Sequence, residues 1–241
     1  MNTTVAFLAQ TLAIFMGFFT RVVFTRTLSE GYVGINGLFT DILNILSLSE
    51  LGVGTAITYA LYAPIARRDI KKQQILMRMF RNFYRITAGF VLLAGLCLIP
   101  FLDILMKDRP DVNHLIIIYL LYLLNSVVSY LLIYKKTLVD AHQMNYITVM
   151  YHNGFLVLQD ILQIMVLFLT RNFILFLVIA VVCTIIGNIC MSRKADRLFP
   201  YLKEPCKEQL PQEERHDILR NVKAMLMHKI GNVVVNNTDN L

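Results

Sequence analysis

The chain has 241 residues, 56% of them apolar and 16% charged, with a mean hydropathy of +0.58 and a formal net charge of +7. The length alone fits one or two soluble domains, but this balance excludes an ordinary water-soluble domain and points to an integral membrane protein. The basic excess borders apolar runs and comes with no DNA- or RNA-binding motif, so its partner is anionic lipid and not nucleic acid.

A crossing of the hydrocarbon core takes about 20 mostly apolar residues. The first such run covers 5–24; it follows four residues without a basic side chain and meets Arg21 and Arg26, with no small-residue cleavage site, so it reads as a retained helix and not a signal peptide. The second covers 42–63 and is interrupted by Glu50. Between it and the third run, 86–106, the stretch from Arg67 to Arg85 interleaves bases with Ile70, Ile75, Leu76, Met79, Phe80 and Phe83, the pattern of a helix lying on a lipid surface. The fourth run, 114–134, is clean. The fifth, 146–169, carries His152, Asn153, Gln159, Asp160 and Gln163, and the sixth, 173–191, is again clean.

Runs of this length without period-2 alternation do not build a transmembrane barrel, so the expected fold is an all-α integral membrane protein. It comprises a six-helix lobe over 1–220, with a loop at 192–220, and the start of a seventh helix over 221–241. Alternate loops hold sixteen Lys and Arg on one side and four on the other. The positive-inside rule therefore places the N-terminus and the long loops in the cytoplasm of a multi-pass protein.

Cys97, Cys183 and Cys190 fall in spans and Cys206 in a loop, without CxxC spacing, and the five histidines form no ligand pair. Neither a metal nor a cofactor is expected.

Residues that a membrane penalises carry the functional signal, because a charge at the bilayer centre costs at least ~2.5 to 3.5 kcal/mol. Gln10, Gly17 and Arg21 fall within about 40° of one another on a helix. Thr40, Ser47, Glu50, Gly54 and Thr58 fall within about 80° on the second. Tyr146, Asn153 and Asp160 make a heptad stripe on the fifth. The common destination of three polar faces is a hydrated cavity. Each residue also has a structural reading: Arg21 snorkelling to the interface, Glu50 hydrogen-bonded or paired with Arg21, and Asp160 with Gln159 and Gln163 joining helices. Lys229, Asn236 and Asn240 repeat the spacing of Gln10, Gly17 and Arg21, as in a carrier whose second half repeats its first.

The stretches GINGLFTDILNILSLSELGVGTAITYALYAPIARRD (34–69), YKKTLVDAHQMNYI (134–147), ADRLFPYL (195–202) and NVKAMLMHKIGNVVVNNTDNL (221–241) resemble the Wzx-type polysaccharide transporters. That family shares the MOP superfamily with the MurJ flippases and the MATE exporters. The resemblance runs through nearly the whole chain; it is specific at the second helix and the final segment and only compositional in the third, fourth and sixth spans.

The resemblance implies two six-helix lobes around a central cavity, so that this chain is the N-terminal lobe with a truncated first helix of a missing C-terminal lobe. It further implies a flippase that moves an undecaprenyl-pyrophosphate-linked oligosaccharide across the bacterial cytoplasmic membrane for surface polysaccharide biosynthesis. On this reading Arg21 binds the pyrophosphate, since a guanidinium stays charged and pairs with phosphate oxygens, and Lys229 assists. Gln10, Asn236 and Asn237 suit sugar hydroxyls. Glu50, Asp41 and Asp239 balance charge or couple the lobes to protonation, and Ser47, Thr58, Asn153 and Asp160 line the cavity. Without its second lobe the chain is expected not to transport. A MATE-like exporter of small molecules would favour an acidic, aromatic pocket. A membrane-bound glycosyl- or acyltransferase would need acid/base groups at one aqueous edge, where Asp140, His142 and the stretch Glu213 to Asp217 read more simply as a turn and a solvated helix.

Overall fold

A computed structural model describes residues 2–47, 53–106 and 112–204, and in the C-terminal stretch 210–212, 214, 216–218, 220, 224 and 227. The described residues are about 90% helical and contain no strand. The helices are α1 (Asn2–Thr27), α2 (Glu30–Ser47), α3 (Val53–Ala66), α4 (Ile70–Leu98), the short α5 (Leu102–Leu105), α6 (Leu115–Tyr130), α7 (Ile133–Ala141), α8 (Asn145–Thr170) and α9 (Phe173–Leu198). Among the described residues five stretches are long and apolar enough to cross a membrane: Ala6–Thr27, Ile70–Phe101, Leu115–Ala141, Asn145–Thr170 and Phe173–Leu198. This is an all-α protein of the multi-pass membrane type.

Ala6–Thr27 and Asn145–Thr170 match the expected first and fifth spans within a few residues, while Leu115–Ala141 and Phe173–Leu198 begin with the expected fourth and sixth and run seven residues past their ends. The expected second span, 42–63, maps onto the end of α2 and most of α3, with 48–52 outside the described residues. Helix α2 starts at Glu30, a dozen residues before the apolar run, because Ser29 accepts the first backbone hydrogen bonds and Glu30 sits favourably in the first turn.

A lipid-surface helix over Arg67–Arg85 is a correction. Those residues from Ile70 onward belong to α4, which runs unbroken for 29 residues into the third span. Asp69 caps it, its Oδ1 accepting from the Lys72 amide at 2.9 Å. Nothing between Arg78 and Ile86 breaks the helix, and its first turns pack on protein, with Leu76, Met77 and Phe80 buried. Tyr201 donates to Gln73 Oε1 at 2.5 Å, Gln74 donates to the Tyr201 carbonyl at 2.6 Å, and Lys72 pairs with Glu214 at 2.7 Å. The chain after α9 thus folds back over the start of α4.

Left-handed residues make the tight connections: His114 before α6, Leu132 between α6 and α7, and Arg171 between α8 and α9. Asn172 then caps α9, its Oδ1 accepting from the amides of Ile174 and Leu175. The core lies where α3, α4, α6 and α7 meet, around Ile57, Leu61, Leu76, Leu123 and Leu138. Helix α1 reaches this core through Phe24 and packs chiefly along α8, leaving Phe7, Leu12, Phe15, Phe18 and Phe19 exposed on an apolar face fit for lipid.

Candidate functional site

The polar stripe of α1 meets that of α8. Asn153, 1% exposed, donates through Nδ2 to Gln10 Oε1 at 2.8 Å, and the Thr20 hydroxyl donates to Asp160 Oδ1 at 3.0 Å. Gln163 donates to the Phe176 carbonyl at 3.0 Å, joining α8 to α9. Such interhelical bonds contribute roughly 0.6 kcal/mol each, at most about 1.7. Asn153 and Asp160 therefore act as helix ties, the structural reading of these residues, and neither lines the cavity described below.

Arg21 is exposed, its guanidinium carbon 5.7 Å above the Phe24 ring. Phe24 belongs to an aromatic group at the junction of α1, α2, α6 and α9, with centroids 5.5 Å from Phe173 and 5.3 Å from Phe176, while Tyr32 and Tyr122 close on Phe173. Tyr122 also donates to Asn36 Oδ1. Among the described residues Arg21 has no carboxylate partner. Asp41 is exposed on α2, and Thr58 turns its hydroxyl back to the Gly54 carbonyl at 2.9 Å on α3. Ser47 ends α2 with its side chain undescribed, and Glu50, Lys229, Asn236, Asn237 and Asp239 lie outside the described residues.

Polar groups converge elsewhere. Helices α6 and α8 each pack on α9 but scarcely on one another, and α7 closes one end of the gap between them. A cavity of about 260 Å³ occupies it. From α6 come Asn125 and Ser129, from α7 Lys136, from α8 Thr148, His152 and Gln159, and from α9 Thr184 and Asn188. The walls between them include Tyr151 and Phe155. No carboxylate is among the lining residues. The Asn125 side-chain oxygen is buried without a hydrogen-bond partner among the described residues. Lys136 has no ion pair among the described residues, whereas its neighbour Lys135 is tied to Asp196 at 2.8 Å and to the Ser192 hydroxyl at 2.9 Å.

One ammonium, one imidazole, amides, hydroxyls and two aromatic walls form a surface that hydrogen-bonds hydroxyls and anionic oxygens. Sequence reading missed most of it. On α8 the cavity face is His152, Phe155 and Gln159, one residue round from Asn153 and Asp160, so the two faces share almost one stripe. The signals for the rest were Asn125 and Asn188, amides inside spans that otherwise read as clean. Gly187 is part of the shape: a β-carbon there would sit 3.2 Å from Phe155 Cγ.

Comparison with protein-family models, with curated proteins and with solved structures finds no match for this chain.

Proposed function

We propose that this chain is one lobe of an alternating-access carrier for an undecaprenyl-pyrophosphate-linked oligosaccharide, moving it from the inner to the outer leaflet of a bacterial cytoplasmic membrane for surface polysaccharide assembly. The observation that carries the reading is the cavity among α6, α8 and α9, where amides, hydroxyls and Lys136 gather inside a bundle of membrane-length helices. Sugar hydroxyls and a pyrophosphate lose several kcal/mol per unpaired group in hydrocarbon, and such a lining replaces the lost water. The resemblance of 34–69 and 221–241 to the Wzx-type transporters supports the substrate class. At about 260 Å³ the cavity has room for a single sugar unit, so it serves as a subsite and the pyrophosphate is left to Arg21 and its aromatic surroundings.

In this role the protein binds and moves its substrate and breaks no bond in it. An acidic lining would favour the alternative of a MATE-like exporter of cations; the lining here has a lysine and no carboxylate. The test is binding of a fluorescent polyprenyl-pyrophosphate-linked oligosaccharide to the full 241-residue chain in nanodiscs. Saturable binding is expected, weakened at least tenfold by Arg21→Ala, the loss of about 1.4 kcal/mol or more from a charge-assisted pair. A cationic drug should not compete, and no free sugar or pyrophosphate should be released. Absence of binding, or displacement by the cation, would overturn the proposal.

A further inference from the structure

On the other side of α6, facing away from the α8 wall of the cavity, lies a second recess of about 440 Å³ between α4, the α6–α7 turn and α9. Its rim carries Arg81 and Arg85, one helical turn apart on the same face of α4. Tyr130 and Tyr134 stand beside them, and Leu131 and Ile189 make the apolar wall. Both guanidiniums are close enough to the Tyr134 hydroxyl to act on it electrostatically, Arg81 also by a hydrogen bond, and the one carboxylate that acts on the same hydroxyl, Asp196, is neutralised by its pair with Lys135. Both arginines are exposed, and neither has a carboxylate partner among the described residues.

The level of the recess along the bundle is set by its neighbours. Arg85 immediately precedes the apolar stretch of α4, and Ile189 lies one turn before Arg193 and Lys194 on α9. The basic rim thus falls at a membrane–water boundary while the apolar wall continues toward the hydrocarbon. A soluble anion would use the arginines and leave the wall unused; a neutral lipid would use the wall and leave two cations unpaired. Asn188 and Leu132 line both this recess and the sugar-sized cavity, and Asn188 donates to the Val128 carbonyl at 3.0 Å, so α6 and α9 are closed between the two.

We infer that this recess is a binding site for one anionic phospholipid, its phosphate held between Arg81 and Arg85 with Tyr134 alongside and an acyl chain laid against Leu131 and Ile189. The site is independent of the carrier proposal, since none of its charged residues lines the cavity.

The experiment is native mass spectrometry of the full chain released from nanodiscs of mixed phosphatidylglycerol and phosphatidylcholine. One phosphatidylglycerol should be retained in preference to phosphatidylcholine by roughly thirtyfold, taking about fivefold for each basic residue at an anionic membrane surface. Arg81→Gln with Arg85→Gln should remove the preference, and an excess of inorganic phosphate should not displace the lipid. Ile189→Trp, which fills the recess and leaves both charges, should also lower retention and covers the case in which the double variant fails to fold. Equal retention of the two lipids, an unchanged preference in both variants, or displacement by inorganic phosphate would overturn the assignment.

Discussion

Gly95 on α4 lies tight against Leu123 of α6, and replacing it with alanine gives a test whose sign depends on one neighbour. A β-carbon at this position would lie 2.4 Å from Leu123 Cδ1 and 2.9 Å from Cδ2. Ordinary carbon contact is about 3.5 to 4.0 Å, so the Leu123 side chain must give way by more than about 1 Å. It is 1% exposed, and the Tyr119 hydroxyl, donating to the Gly95 carbonyl at 2.8 Å, holds the same helix against the glycine. Overpacking of this kind costs about 1 to 3 kcal/mol. Glycine to alanine inside a helix returns up to about 1 kcal/mol, which leaves a net loss of about 0 to 2 for Gly95→Ala. In a Leu123→Ala background the obstacle is gone and only the helix-propensity gain remains, so the same substitution should stabilise by up to about 1 kcal/mol. The assay is reversible unfolding in mixed micelles, read by steric trapping or denaturing-detergent titration, on the four proteins of the cycle. Equal effects in the two backgrounds, within about 0.5 kcal/mol, would refute the packing argument.

Two further outcomes follow from polar ties near the ends of the bundle. Lys135 and Asp196 keep only 15% and 20% of their side-chain surface exposed, so Asp196→Ala strands a cation and should destabilise by about 1 kcal/mol or more, below the ~3 to 5 of a fully buried pair. Replacing both with a leucine pair should recover most of that loss in the same unfolding assay. Burial pushes the Tyr201 phenol up to about 12, above the ordinary value of 10.0. Because the folded value is the higher one, the contribution of its bond to Gln73 is complete below pH 10 and is lost as pH rises toward 12. Tyr201→Phe should therefore flatten the alkaline fall in stability, measured by thermal unfolding across that range, and an unchanged fall would argue against the assignment.

The sequence made the long helices plain because lipid imposes one rule on every residue of a span. Thus 146–169 matches α8 to within a residue at each end, and 173–191 starts with α9 after Arg171 and Asn172 but stops two turns short of its end at Leu198. Where protein and not lipid is the neighbour, that rule stops applying. Helix α2, glycine-rich and bearing Glu30 and Asp41, and the first turns of α4, rich in arginine, fold against other helices and so escape a count of apolar runs. The candidate site shows the same division. Polar positions in spans were visible, but periodicity on one helix does not say which neighbour each face meets. Asn153 looked like a cavity residue and is a tie to Gln10, whereas His152 beside it faces the open space.

The pairing of α1 with α8 has a cost in time. The bonded partners Gln10 and Asn153 are 143 residues apart, and Thr20 and Asp160 are 140 apart. At a synthesis rate of ~5 to 20 residues per second, roughly 7 to 30 s pass between the emergence of the first helix and that of its mate. Through that interval Gln10 and Thr20 sit in or beside lipid without their partners on α8. The nascent chain therefore depends on the insertion machinery to shelter those two side chains until α8 leaves the ribosome, and slowing translation ahead of Asn145 would lengthen the exposure and favour degradation.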